Sequence, residues 1–189
     1  MNKSVRREYI KSIFPNLDEP SIDTILLHST SLKGSKGTKL IAEGKRHPYF
    51  YLIVEGSVKS YYQKESKEVC LWFAFENEVV STIKTFEGGL SNESIEFLED
   101  SNLIRFKTDP IKELAQIDLS ICHWIIELIT EHALFLEKRL YNLQFMTSQE
   151  RYKALIKIAP EVLQKVSITD IASFLGVSRE TLSRIRAKK

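Results

Sequence analysis

From Cys122 to Leu143 apolar residues recur at alternating steps of four and three: Cys122, Ile126, Ile129, Ala133, Leu136, Leu140 and Leu143. That is a heptad seam, and no Gly or Pro interrupts residues 118–144. The pattern predicts one long helix that packs along another helix. A second stripe, Ile121, Ile125, Leu128 and Phe135, lies beside the first. A helix apolar on two faces must bury both. One face can cover a neighbouring domain, and the other needs a partner, most simply the same helix of a second subunit. The alternative is a helix buried within one chain. A helix of this length spans about 40 Å and would overhang a small domain. The expected dimer seam is Ile126, Ile129, Ala133, Leu136, Leu140 and Leu143, with the Ile125/Phe135 stripe left open as the other choice.

Upstream the texture is different. Residues 18–28, DEPSIDTILLH, predict a helix capped by Asp18, with Pro20 in its first turn. Residues 37–63 carry short runs rich in aromatic and β-branched residues, cut by Glu43-Gly44 and Glu55-Gly56. Similar runs continue to about residue 108 and predict a small antiparallel barrel or sandwich. From Pro110 the period is helical again. After the long helix, Thr147 or Ser148 with Glu150 predicts a capping box, and Pro160 ends or kinks the helix that follows.

The last stretch, SITDIASFLGVSRETLSRIRAKK, predicts two short helices about a tight turn. Ser167 caps the first, Gly176 supplies a positive φ, and Ser178 caps the second. Leu182 and Ile185 form the apolar side of the second helix. Arg179, Glu180, Ser183 and Arg186 take the opposite side. This is a helix-turn-helix arrangement, whose second helix enters the major groove. Arg179 can pair bidentately with guanine, and Glu180 can accept from the cytosine amino group. Arg184 lies one turn further on. Ser178, Thr181 and Ser183 suit phosphate oxygens near a helix start, and Lys188 adds nonspecific attraction.

Charge strengthens that reading. The net charge of +2 hides an asymmetry: residues 144–189 carry nine Lys/Arg against four Asp/Glu, and residues 1–143 carry 18 against 21. The positive charge sits where a polyanion would bind. Two cysteines, Cys70 and Cys122, match no metal or redox spacing and are expected as buried free thiols in a reducing compartment. The four histidines form no ligand or triad pattern, and GSKGTK at 34–39 lacks the spacing of a phosphate loop, so an enzyme is not expected. The basic start is followed by no apolar signal core, no run approaches the length of a membrane span, and a cytoplasmic protein is expected.

The stretch ITDIASFLGVSRETLSRIR resembles the DNA-binding motif of the Crp/Fnr family of transcription regulators. KGTKLIAEGKRHPYFYLIVEGSVKSYY is similar to the opening of that family's cyclic-nucleotide-binding barrel, and the long helix to its dimerisation helix. The resemblance implies an α+β chain: a barrel or jelly-roll sensor domain over residues 1–117, a dimerisation helix over 118–144 and a helix-turn-helix domain over 145–189. It implies a homodimer on double-stranded DNA, base contacts from Arg179, Glu180 and Arg184, and RNA polymerase as a further partner. A ligand- or protein-binding sensor module without DNA binding is the alternative. The chain departs from the family's pattern in the phosphate-cradling loop: Asn92 and Glu93 stand where Arg and Ser or Thr would be, and no Gly-Glu pair occupies 80–86. A carboxylate facing a phosphate is repulsive, so cyclic AMP is not expected to bind. Lys84 offers another route to an anion site. No cofactor is expected, His47 and Cys70 as haem ligands included, and the small-molecule effector is left unassigned. The family's wing after the recognition helix is expected to be absent or much reduced.

Overall fold

The computed structural model describes residues 1–65 and 67–187. Two helices open it, α1 (Lys3–Ile13) and α2 (Glu19–Leu27). Asp18 caps α2 through the Ser21 amide, as its sequence predicts. The sequence reading assigned no helix to the basic start. Asn2 caps α1, and Arg7 ties it to Asp23 and Glu19 of α2.

Eight strands follow: β1 (Ser29–Gly34), β2 (Lys39–Ile41), β3 (Tyr49–Glu55), β4 (Val58–Lys64), β5 (Lys67–Ala74), β6 (Val79–Val80), β7 (Ser94–Phe97) and β8 (Ser101–Lys107). They form two antiparallel four-stranded sheets, ordered β1-β8-β3-β6 and β2-β7-β4-β5. A short helix, α3 (Ile83–Glu87), precedes β7.

The first sheet is buried on both faces, which explains the unbroken apolar run of β3. Phe50 and Leu52, with Ile104 and Phe106 of β8, face the helices. Tyr51, Ile53 and Leu103 face the second sheet and meet Val58, Ile95 and Phe97. Phe50 and Phe106 stack at 4.9 Å, and Trp124 closes over both. At the end of β1, Gly34 admits the Phe97 ring: a Cβ there would lie 2.2 Å from ring carbons.

Helix α4 (Thr108–Leu114) leads into α5 (Leu119–Phe145), capped by Asp118. The first turns of α5 belong to the barrel. Ile121 and Trp124 are buried there, and Ile125 and Leu128 pack partly against the same core. Ile121, Ile125 and Leu128 of the second stripe therefore cover the barrel; Phe135 is exposed, as is the heptad seam from Ile126 on. Past Leu128 the helix leaves the barrel's surface. Cys70 is buried, but Cys122 is only partly buried, against expectation. It sits on the flank of α5 between the barrel-facing stripe and the outer seam.

The remaining helices are α6 (Ser148–Ile158), α7 (Val162–Lys165), α8 (Ile168–Leu175) and α9 (Arg179–Ala187). Thr147 and Glu150 complete the expected capping box, and α6 ends just before Pro160. Helices α7 to α9 share a small core of Val162, Val166, Ile171, Ala172, Leu175 and Leu182, which Phe75 of the barrel joins.

Candidate nucleic-acid interface

The terminal helix pair is built as its sequence requires. The Ser167 hydroxyl accepts from the Asp170 amide at 3.0 Å and starts α8. Gly176 takes φ +68° and ends it, where a side chain would be strained. The Val177 amide donates back to the Ala172 carbonyl at 3.0 Å. Ser178 then caps α9, accepting from the Thr181 amide at 3.2 Å. Leu182 is fully buried against α8, and Ile185 partly so. Seating one face of α9 fixes what the other presents.

That other face is open. Ser178, Arg179, Glu180, Ser183, Arg184 and Arg186 are all exposed, and Thr181 is half-buried. The Ser178 hydroxyl donates to Thr181 Oγ1, which leaves the Thr181 proton free for an outside acceptor. The Glu180 carboxyl is held below its ordinary range, chiefly by its own backbone amide, so it is an acceptor at neutral pH. Arg179, Glu180 and Arg184 are thus brought together on one solvent-facing surface at the start of a helix. Lys188 lies outside the described residues.

One anchoring residue has no signal in the hydrophobic pattern. Arg151 of α6 donates to the Met146 carbonyl at 2.6 Å and to the Leu175 carbonyl at 3.1 Å. It joins the end of the long helix to the turn before the recognition helix. A charged residue in an amphipathic helix reads as solvated, so its role became visible only in three dimensions.

The long helix leaves its seam uncovered. Ile126 is 54% exposed, Leu136 45% and Leu140 55%; Ile129, Ala133 and Leu143 are exposed as well. An 18-residue window of α5 reaches a mean hydropathy of 1.4, and by length and composition alone the helix could cross a bilayer. That corrects the expectation that no segment approaches such a span. The helix is spaced with charge as well as apolar residues, carrying Glu127, Glu131, Glu137, Lys138 and Arg139.

Inside the barrel, the loop where a phosphate cradle was sought holds a carboxylate. Asn92 is exposed, while Glu93 turns inward and accepts from the Ser60 hydroxyl and from Trp72. Burial pushes the Glu93 carboxyl up. Lys84, the other route to an anion site, pairs its ammonium with Glu87 at 2.6 Å on the surface. His47 bonds the Tyr51 hydroxyl, and burial lowers the one and raises the other, so both are neutral. Among the described residues no cluster of three or more His, Cys, Asp or Glu could hold a metal ion.

The fold is thus two packed sheets, a projecting helix and a helix pair about a tight turn. Residues 33–118 match the cyclic nucleotide-binding domain family. FixK2 from Bradyrhizobium japonicum has the same fold, with a TM-score of 0.74 and 19% identity over 85% of this chain and 83% of that one. The c-di-GMP responsive global regulator CLP of Xanthomonas campestris gives 0.68 and 19%, covering 90% and 91%. The catabolite activator protein of Thermus thermophilus gives 0.59 and 19%, covering 93% and 84%. No curated protein sequence matches. Residues 33–118 thus match the cyclic nucleotide-binding domain, and the chain as a whole shares its fold with these three proteins.

The Glu93 carboxyl has a pH signature. Its folded value is raised above the ordinary 4.5, so the stability it contributes is complete below that value and is lost as pH rises through the folded one. Urea denaturation from about pH 4 to about pH 8 should show a shallower loss for Glu93→Gln than for the wild type. Parallel profiles would mean that the carboxyl is not kept protonated by the fold.

Proposed function

We propose that this chain is a homodimeric, sequence-specific DNA-binding transcription regulator. The observation that carries the reading is the terminal helix. Leu182 is sealed in a core, and Arg179, Glu180 and Arg184 stand free on the opposite side. Guanidinium and carboxylate groups at the leading turns of a groove-sized helix match the donors and acceptors of base edges. Ser178, Thr181 and Ser183 would hold phosphate oxygens, and Lys188 would add attraction to the backbone. A protein-binding module has no need of this combination, which favours DNA over the alternative sensor reading.

A second copy is the partner that best suits the seam of α5. Ionic side chains cost about 2.5–3.5 kcal/mol each at the centre of a bilayer, and α5 carries five, Glu127, Glu131, Glu137, Lys138 and Arg139. Its first turns are also anchored in the barrel through Trp124. A heptad stripe flanked by charge suits a helix pair in water. The seam is then Ile126, Ile129, Ala133, Leu136, Leu140 and Leu143, and the Ile125 stripe is already occupied. Residues 1–117, 118–144 and 145–189 act as barrel, dimer helix and DNA-binding domain. Two recognition helices would enter successive major grooves about 34 Å apart on a two-fold symmetric site. Such a protein works in the cytoplasm, with RNA polymerase as a further partner.

The barrel of this regulator does not answer to cyclic AMP. The inward Glu93 carboxyl supports that reading, because an ionised carboxylate repels a phosphate by about 1–4 kcal/mol at contact and a protonated one still blocks its place.

Three measurements test these readings. Arg179→Ala should cost about 1–3 kcal/mol on the preferred site and relax base preference at one position per half-site. Equal loss on random DNA in a gel shift would remove base reading from its role. Leu136→Asp should halve the mass measured by light scattering, and an unchanged mass would exclude this seam. Cyclic AMP should give no saturable heat in calorimetry, whereas micromolar binding would overturn the role given to Glu93.

A further inference from the structure

The helix pair is not only tethered through α5 and α6. Its first helix, α8, lies along β5, the outer strand of the second sheet. An outer strand presents unpaired amide and carbonyl groups. Here Ser173 of α8 takes the place of the missing strand. Its hydroxyl oxygen accepts from the Cys70 amide at 2.9 Å, and its proton goes to the Glu68 carbonyl at 3.4 Å. The backbone groups of residues i and i+2 on a strand point the same way, so one hydroxyl satisfies both.

A buried charge fastens the same contact. Lys59 of β4 is 8% exposed. Its ammonium lies 2.9 Å from Glu68 and 3.9 Å from Glu96 on the barrel, and 3.3 Å from Asp170 on α8. Burial by itself lowers an ammonium, and the hydrogen bond to Glu68 and the charge of Asp170 outweigh it, so Lys59 stays charged. Around this centre, Phe73 meets Phe174 at 5.3 Å, Arg139 of the long helix lies over the Phe174 ring at 4.2 Å, and Lys165 pairs with Glu99 at 2.7 Å. The contact is polar at its centre and apolar at its rim, and it joins residues more than 100 positions apart in sequence.

This docking does not hide the DNA-reading face. Arg179, Glu180, Ser183 and Arg184 stay exposed while α8 is held. A contact that leaves the site open but fixes the helix beneath it sets direction, and does not block access. We propose that Lys59 and Ser173 are positioning residues for DNA reading. They clamp α8 to the edge of β5, so that the barrel, as well as the dimer helix, sets where each recognition helix points. The inference rests on the DNA-binding reading and adds to it what the barrel does: it is a rigid stay for the reading head. A dimer whose two heads are held rigidly should demand one half-site spacing, and freeing the heads should relax that demand.

The test uses the full chain. Paired half-sites are synthesised with the gap varied one base pair at a time, and binding is compared for the wild type, Lys59→Met and Ser173→Ala. The wild type should favour one gap sharply. Both variants should flatten that profile, with loss at the best gap of about 5- to 150-fold for Lys59→Met, while affinity for a single half-site stays the same. Hydrogen exchange in the absence of DNA provides the second readout: Ser173→Ala should speed exchange of the Cys70 amide by about tenfold. An unchanged spacing profile in the folded variants would overturn the positioning role. Cys70 exchange unaffected by Ser173→Ala would overturn the clamp itself. Wild-type protein that binds no DNA at any gap would defeat the proposed function, and the exchange result would still decide the clamp. Should Lys59→Met not fold, Ser173→Ala carries both readouts.

Discussion

The long helix has more apolar surface than the barrel can cover, and the rest of the arrangement depends on that excess. Trp124 and Ile121 seat its first turns beneath the stacked Phe50 and Phe106. From there the rod continues for several turns with no sheet beneath it. A heptad repeat left in water is unfavourable at every Leu and Ile of the seam, because each buried apolar side chain is worth about 1.5–3 kcal/mol. Pairing with an equivalent rod removes that surface from water without any change in the barrel. The fold thus leaves the outer side of α5 with apolar surface that nothing among the described residues covers.

The second constraint is the open edge of β5. Edge strands are usually blunted by charge, bulges or a covering element. Here the covering element is α8, so the contact that protects the sheet also ties the helix pair to the barrel. Helix α8 faces three ways: Ser173 and Asp170 meet the barrel, Ala172 and Leu175 meet the small core, and Leu175 offers its carbonyl to Arg151. Eight residues can do this because residues three or four apart share one face of a helix while those between them point elsewhere.

Much of this was legible before any coordinate. The heptad seam, the caps at Asp18, Thr147, Ser167 and Ser178, and the turn at Gly176 are short-range patterns, and each has its own local signal. The open face of α9 followed from seating Leu182. The opening helix was missed because its apolar residues are few and Asn2 is a weak cue beside so many charges. The clamp was not legible at all. A lysine inside a strand reads as an outward residue of an antiparallel sheet, and only the arrival of Asp170 from 111 positions away makes it a buried one. Spacing alone did not distinguish the two apolar stripes of α5; in the structure Ile125 and Leu128 pack on the barrel, while Ile126, Leu136 and Leu140 are exposed.

The barrel and the dimer helix reach the recognition helix through the same few atoms. Arg151 holds the Met146 and Leu175 carbonyls together, and Leu143 lies 3.9 Å from where a Gly176 side chain would begin. Ser173, three residues before that glycine, is bonded to β5. A shift at the end of α5 and a shift at the edge of the sheet therefore act on one turn, the one that aims α9. Coupling between distant sites requires an element with two arrangements that each site biases differently. Among the described residues, the α5–α6 joint and the α8–β5 contact, with Phe75 of the barrel in the core that α8 and α9 share, tie this helix pair to the rest of the chain and are where such an element would act.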